Sequence, residues 1–228
     1  MVYPIVGEAR RLDLRRRWSR DVVRALDIAI VCDGPPPPAG SFIVANHVSW
    51  LDIFAINAIA PASFVAKSEL RAWPLIGWLA ARNETVFVKR ASRAHARGVN
   101  QEIAGLIARG RHAALFPEGT TTDGADVLPF HAALLQPAID TGAPLVPLAI
   151  RYETDDGRRS PVPAYLGDTS LLTSMAAICG AHGLTVRLLW STAQDVRGAH
   201  RKRVGVDARQ AICRALAGRE TDPVELAA

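Results

Sequence analysis

The sequence predicts an α/β protein with a mixed, largely parallel central sheet flanked by helices and an N-terminal amphipathic helical segment. Short apolar runs alternate along most of the chain with helix-length stretches, the pattern that builds a buried, mainly parallel sheet. Four successive prolines, Pro35 to Pro38, cut this alternating region off from a different N-terminal stretch, because they remove backbone donors and force an extended connector. At 228 residues and 49% hydrophobic content, the chain can bury a full core, which excludes disordered and fibrous classes. The expected organisation is a basic amphipathic helical segment over residues 1–34 and a larger domain over residues 35–228.

In the first segment Leu14, Trp18, Val22 and Leu26 recur every four residues while arginines occupy most other faces, as in an amphipathic helix. Its apolar stripe packs either on the core or into a lipid interface. Asp33-Gly34 and the prolines end the segment. Beyond them Phe42 to Ala45, Phe64 to Ala66, Thr85 to Val88, Ala113 to Phe116, Leu145 to Ile150 and Val186 to Trp190 read as strands. Ser49 to Ile59, Ala94 to Arg109, Ala132 to Thr141 and Val206 to Ala217 read as helices. There is no internal repeat.

The net charge is +5, and residues 8–26 hold seven arginines against three acids. Such a balance implies an anionic partner, and a basic helix with a Trp on its apolar side suits an anionic membrane surface. Nucleic acid is not expected, since the arginines are not interleaved with stacking aromatics and no recognition motif is present. Cys32, Cys179 and Cys213 are odd in number and widely spaced, so they predict reduced thiols rather than disulfides or a zinc site. The N-terminus lacks the pattern of a secretory signal. Of the two long uncharged stretches, Ile53 to Ala66 is too short to cross a bilayer, and Thr169 to Val186 reads as a helix, a turn and a strand. The expected location is peripheral, on the cytoplasmic face of the cell membrane, with no transmembrane helix.

Ligands of such sheets bind where strand ends lead into helices, and two chemically rich motifs stand there. The first is Asn46-His47-Val48-Ser49-Trp50-Leu51-Asp52. A neutral His47 at the mouth of the sheet can remove a proton near neutral pH, and Asp52 in the first helical turn can reach back to fix its tautomer. A purely structural alternative stands beside this: Ser49-x-x-Asp52 resembles a capping box with Ser49 as N-cap. No Gly-x-Ser-x-Gly elbow or other nucleophile accompanies the pair, so a base here implies direct transfer without a covalent enzyme intermediate. No further ligand stands at metal-binding spacing, and no metal is expected.

The second motif is Phe116-Pro117-Glu118-Gly119-Thr120-Thr121-Thr122-Asp123-Gly124, small and hydroxyl residues around one acid, able to bring backbone donors close to a ligand. An ordinary turn with Glu118 in an ion pair is the alternative. Val86-Phe87-Val88-Lys89-Arg90 ends a strand with two cations. Arg90 suits a phosphate or acidic head group through its planar fork.

In this order the motifs resemble the lysophospholipid acyltransferases related to 1-acylglycerol-3-phosphate acyltransferase. The His-x4-Asp block is matched by His47 to Asp52, the basic acceptor block by Val86 to Arg90, the Phe-Pro-Glu-Gly-Thr block by Phe116 to Thr120, and the Val-Pro strand by Val146-Pro147-Leu148. Lys67-Ser68-Glu69-Leu70 and Trp73-Pro74-Leu75-Ile76-Gly77 are also similar to the family. The resemblance implies a glycerolipid acyltransferase fold over residues 35–228, a membrane-docking helical element before it, and acyl-CoA or acyl-carrier-protein as donor with no further cofactor. It implies His47 as base, Asp52 as its orienting partner, Arg90 as head-group contact, and Glu118, Gly119 and Thr120 as acceptor-site residues. The acceptor it implies is a lysophospholipid hydroxyl, 1-acylglycerol-3-phosphate first. Where those enzymes usually carry an arginine after Gly-Thr, this chain has Thr121. That loss of a cation, and the Thr-Thr-Asp-Gly continuation, resemble the branch that acylates lyso-ornithine lipid.

Overall fold

Phe42–Ala45 is buried at every position, and so are all nine residues of Leu145–Glu153. Strands that are apolar on both faces belong in the middle of a sheet covered on both sides. The computed structural model of the chain, which describes residues 7–67, 86–88 and 93–220, places them there. In chain order the elements are α1 (Glu8–Ala25), β1 (Ile28–Asp33), β2 (Phe42–Ala45), α2 (Leu51–Ile59), β3 (Ala62–Lys67), β4 (Val86–Val88), α3 (Arg93–Ala108), β5 (His112–Leu115), a 3-10 turn (Ala132–Leu135), α4 (Gln136–Thr141), β6 (Leu145–Glu153), α5 (Leu171–Gly180), β7 (Leu184–Trp190) and α6 (Arg201–Glu220).

The seven strands form one sheet in the order β1-β7-β6-β2-β5-β3-β4. Every neighbouring pair is parallel except β6 with β7. Alternate residues face opposite layers. Ile43, Ala45, Val146, Leu148 and Ile150 pack with Phe54 of α2, Val23 of α1 and Ile178 of α5. Phe42, Val44, Ala113, Leu115 and Leu145 pack with Ile103 and Leu106 of α3, Ala138 of α4, and Val204 and Ala208 of α6. A crevice follows from the topology. Leaving β2, the chain crosses to β3 on one side, whereas leaving β5, the neighbour of β2, it crosses to β6 on the other. Adjacent strands whose connections diverge in this way mark the ligand-binding switch point of an open sheet.

The expected strands and helices are all present within a few residues, with three differences. The stretch Ile28–Asp33, taken into the N-terminal helical segment, is an edge strand paired with β7. Its cause is local: Asp27 adopts a left-handed φ of 55° just past the end of α1, so the chain turns back as a strand. Arg187 of β7 then ties Asp33 of β1 (2.9 Å) and Glu153 of β6 (2.9 Å) together across three strands. Second, the expected stripe meets the core in part: Leu26 is buried, Val22 packs against the core and Trp18, 38% exposed, meets Phe54 edge-on, while the fully enclosed residues of α1 are Arg15, Ser19 and Val23. Two arginines here reach backbone carbonyls: buried Arg15 donates to that of Ala62 (3.2 Å), and Arg20, though exposed, to that of Ala58 near the end of α2 (2.9 Å), where helix carbonyls lack internal partners. Third, Ala132 to Thr141 is a 3-10 turn followed by a short helix, with proline in its first turn, a position where the missing N–H costs nothing.

At the turn after β1, Gly34 has φ +88°, and a β-carbon there would lie 2.1 Å from the carbonyl oxygen of Trp190. Gly34→Ala therefore forces a left-handed alanine and a backbone clash together. The expected loss is at least about 2 kcal/mol of stability, measured by chemical denaturation.

Candidate active site

The chain ends β2 with a side chain acting as backbone. Asn46, buried, accepts from the amide of Ile150 through Oδ1 (2.7 Å) and donates through Nδ2 to the same residue's carbonyl (3.0 Å), continuing the ladder to β6 by one step while its own main chain turns away. His47 follows, pinned by its backbone: its N–H donates to Glu118 Oε1 (2.8 Å) and its carbonyl accepts from Thr122 N (2.8 Å). The imidazole lies flat on the ring of Phe116, with centroids 3.9 Å apart and planes 8° from parallel. It stays 19% exposed.

Asp52 sits in the first turn of α2 and is completely buried. Oδ2 accepts from His47 Nδ1 (2.8 Å), Val48 N (2.8 Å) and Ser49 N (3.0 Å), and Oδ1 accepts from the hydroxyl of Tyr152 (2.7 Å). The capping and catalytic readings are thus both present, made by one carboxylate. Two of these partners are backbone N–H groups that can only donate, and the oxygens have no proton to give in return. His47 Nδ1 therefore carries the hydrogen of that bond, which leaves Nε2 with its lone pair. Ser49 does not serve as the N-cap, because the helix starts at Leu51 and the N-cap position is Trp50; the Ser49 hydroxyl accepts from Leu51 N at 3.3 Å.

Glu118, 3% exposed, is used on both oxygens: Oε1 by His47 N and Oε2 by Leu128 N (2.7 Å). Burial raises its carboxyl above the usual carboxylate range, and the two amide donors offset only part of that rise. In this position it braces the loop against the turn at His47. Gly119 follows with φ +73°, and Thr120 is exposed. The rest of the loop is laced to its surroundings: the Thr121 hydroxyl donates to the carbonyl of Tyr165, and Tyr165 N donates to the carbonyl of Val48 (2.9 Å). At Gly124 φ is +78°, and a β-carbon would press on Val48 at 3.2 Å.

The structure thus brings His47, Asp52 and Glu118 into contact, with Gly119 and Thr120 on the adjoining loop. Lys89, Arg90 and the blocks from Ser68 to Gly77 lie outside the described residues. Sequence reasoning missed Tyr152, the stacking role of Phe116 and the tether at Tyr165. The signal for Tyr152 was available: Val146, Leu148 and Ile150 mark the face of β6 that looks toward α2, and Tyr152 is the next residue on it, two past the expected strand end.

An imidazole backed by a buried carboxylate at a sheet switch point, with the nearby Ser49 hydroxyl buried and hydrogen-bonded, is an arrangement able to take a proton from a bound group. The Acyltransferase family profile matches residues 35–151, and the chain belongs to that family; it is an O-acyltransferase. It is 41% identical over 172 residues to 1-acyl-sn-glycerol-3-phosphate acyltransferase of Neisseria meningitidis, covering 75% of this chain and 67% of that one. It is 36% identical over 208 residues to lyso-ornithine lipid O-acyltransferase of Pseudomonas aeruginosa, covering 91% and 80%. The crystal structure of the 1-acyl-sn-glycerophosphate (LPA) acyltransferase from Thermotoga maritima shares the fold with a TM-score of 0.67 at 23% identity, over 93% of this chain and 81% of that one.

Because both contacts of the Glu118 carboxylate are N–H donors, Glu118→Gln is not conservative: its amide nitrogen must face a donor. The expected result is a loss of about 1–3 kcal/mol in stability, together with reduced turnover as His47 loses its backbone anchor. Thermal denaturation and thiol-release kinetics on the same preparation check both.

Proposed function

We propose that the protein moves a fatty acyl group from a thioester, acyl-CoA or acyl-carrier-protein, to the hydroxyl of a lysolipid at an anionic membrane surface. The observation that carries this is the Asp52 carboxylate, saturated by four donors, which holds His47 with Nε2 free to accept a proton. Nε2 takes the acceptor's hydroxyl proton as that oxygen attacks the thioester carbonyl. The C–O bond forms, the C–S bond breaks, and the proton passes to the departing thiolate, which leaves as free thiol. Holding both substrates in one crevice and removing the proton in place share the rate enhancement.

The first acceptor is 1-acylglycerol-3-phosphate, supported by the relative from Neisseria. One observation favours a second reading, lyso-ornithine lipid: position 121 offers no cation, and the Thr121 hydroxyl is taken by the Tyr165 carbonyl, so it is not turned to a phosphate. The similarity to the Pseudomonas enzyme also runs over more of the chain.

No described helix is long and apolar enough to cross a membrane, and we place the protein peripherally on the cytoplasmic face. Two features support lipid contact. Helix α5 carries no charged residue and exposes Leu172 by 78%. Trp50 joins it to α1: its indole donates to Ser174 of α5 (3.1 Å) and meets Phe54 edge-on, which in turn meets the half-exposed Trp18. An uncharged helix beside the exposed arginines Arg16, Arg17, Arg20 and Arg24 suits an anionic interface.

Purified protein with acyl-CoA or acyl-carrier-protein and each lysolipid, followed by thiol release, tests the reaction. His47→Ala is expected to lower turnover by at least about 100-fold, and wild-type turnover in that variant would overturn the mechanism. Reaction with lyso-ornithine lipid and failure with 1-acylglycerol-3-phosphate would select the second acceptor. For the membrane contact, Leu172→Asp is expected to weaken co-sedimentation with phosphatidylglycerol vesicles while leaving turnover on detergent-dispersed lysolipid unchanged.

A further inference from the structure

The peptide group between Val127 and Leu128 is held at both ends by charged side chains. Its N–H donates to Glu118 Oε2 (2.7 Å). Its carbonyl oxygen accepts twice from Arg209 of α6, from Nε (2.9 Å) and from Nη2 (2.5 Å), and Nε also reaches the carbonyl of Leu128 (3.2 Å). The side chain of Val127 is held by the same helix: it is 4% exposed and packs in one cluster with Ile212, three residues along α6 from Arg209 and so on the same helix face. The other oxygen of Glu118 takes the N–H of His47 (2.8 Å). One guanidinium, one peptide and one carboxylate thus run in series from the C-terminal helix to the backbone of His47.

We propose that Arg209 is a positioning residue of the acyl-transfer reaction, acting through the Val127–Leu128 peptide to hold the Glu118 carboxylate and, through it, the backbone of His47. The proposal rests on the reading of His47 as base. The series has one direction, because a guanidinium and an N–H only donate, whereas a carbonyl and an ionised carboxylate only accept. A cation bonded to a carbonyl draws electrons out of the peptide, and hydrogen bonds in series polarise one another. The N–H of Leu128 is therefore a stronger donor with Arg209 in place than without it. Glu118 has use for such a donor. At 3% exposure, its carboxylate stays ionised through the groups that donate to it. Arg209 works at two removes from the imidazole and takes no part in holding either substrate, so it bears on turnover and leaves binding alone.

Arg209→Ala is expected to lower kcat about tenfold with KM for donor and acceptor unchanged, measured by thiol release well below the melting transition so that lost stability does not enter. Arg209→Lys keeps the charge but not the fork, and is expected to stay within about threefold of wild-type kcat. Arg209→Gln keeps a donor without the charge and is expected to fall with Arg209→Ala. In the Glu118→Gln background Arg209→Ala adds nothing, because the series is already cut at its carboxylate. Wild-type kcat in Arg209→Ala, a change confined to KM, or losses that multiply in the double variant would each overturn the role. Should Arg209→Ala fail to fold, Arg209→Lys against Arg209→Gln decides: equal turnover in the two overturns it. His47→Ala run beside them keeps the failures apart, because an active His47→Ala removes the base itself, whereas an inactive one with a fully active Arg209→Ala removes only the positioning.

Discussion

A carboxylate with no exposure to water, Asp52, is the constraint from which the rest of the site follows. An ionised group in a dry interior is tolerated only when its lone pairs are met by donors, and Asp52 meets four: two amides of the turn at Val48 and Ser49, the imidazole of His47 and the phenol of Tyr152. Each donor dictates something larger. The amides fix the turn between β2 and α2, the imidazole is held as its Nδ1–H tautomer, and the phenol requires β6 to run on past the end of its pairing with β2.

The same economy governs the other side of the crevice. Loops leaving β2 and β5 diverge to opposite faces of the sheet, and nothing in the strand pairing itself joins them beyond Ala45 and Leu115. Glu118 does so, one oxygen on the amide of His47 and the other on that of Leu128, with Thr122 answering from its backbone to the His47 carbonyl. Arg209 of α6 holds the carbonyls of Val127 and Leu128 from behind (2.9 and 3.2 Å). His47 is therefore set by three layers of the fold: the sheet, the helix that follows it, and a loop anchored to the C-terminal helix.

Much of this was legible in the sequence because burial writes itself as composition. Phe42 to Ala45 and Leu145 to Ile150 are apolar at every position, which is what a central strand needs, and the turn residues after them stand out against that background. His47 and Asp52 were found because they are polar residues at a strand end, five apart, where a helix begins. What the sequence hid was contact between distant segments. The two contacts of Glu118 were hidden because its partners are backbone amides, which carry no mark in the residue identities. The enclosed face of α1 was only partly visible for a related reason: arginines normally seek solvent, and the burial of Arg15 is explained by the carbonyl of Ala62 at the start of β3. Strand β1 was hidden by a single left-handed residue, Asp27, a conformation that the residue's identity alone does not announce.

Glu118 looks inward and Thr120 outward from the same short loop. One side of that loop is committed to the amides of His47 and Leu128, while Thr120 meets solvent. Thr120 can therefore be exchanged without touching those anchors, whereas exchanging Thr121 releases its tie to the carbonyl of Tyr165, so one short loop carries a replaceable residue between two that hold it in place.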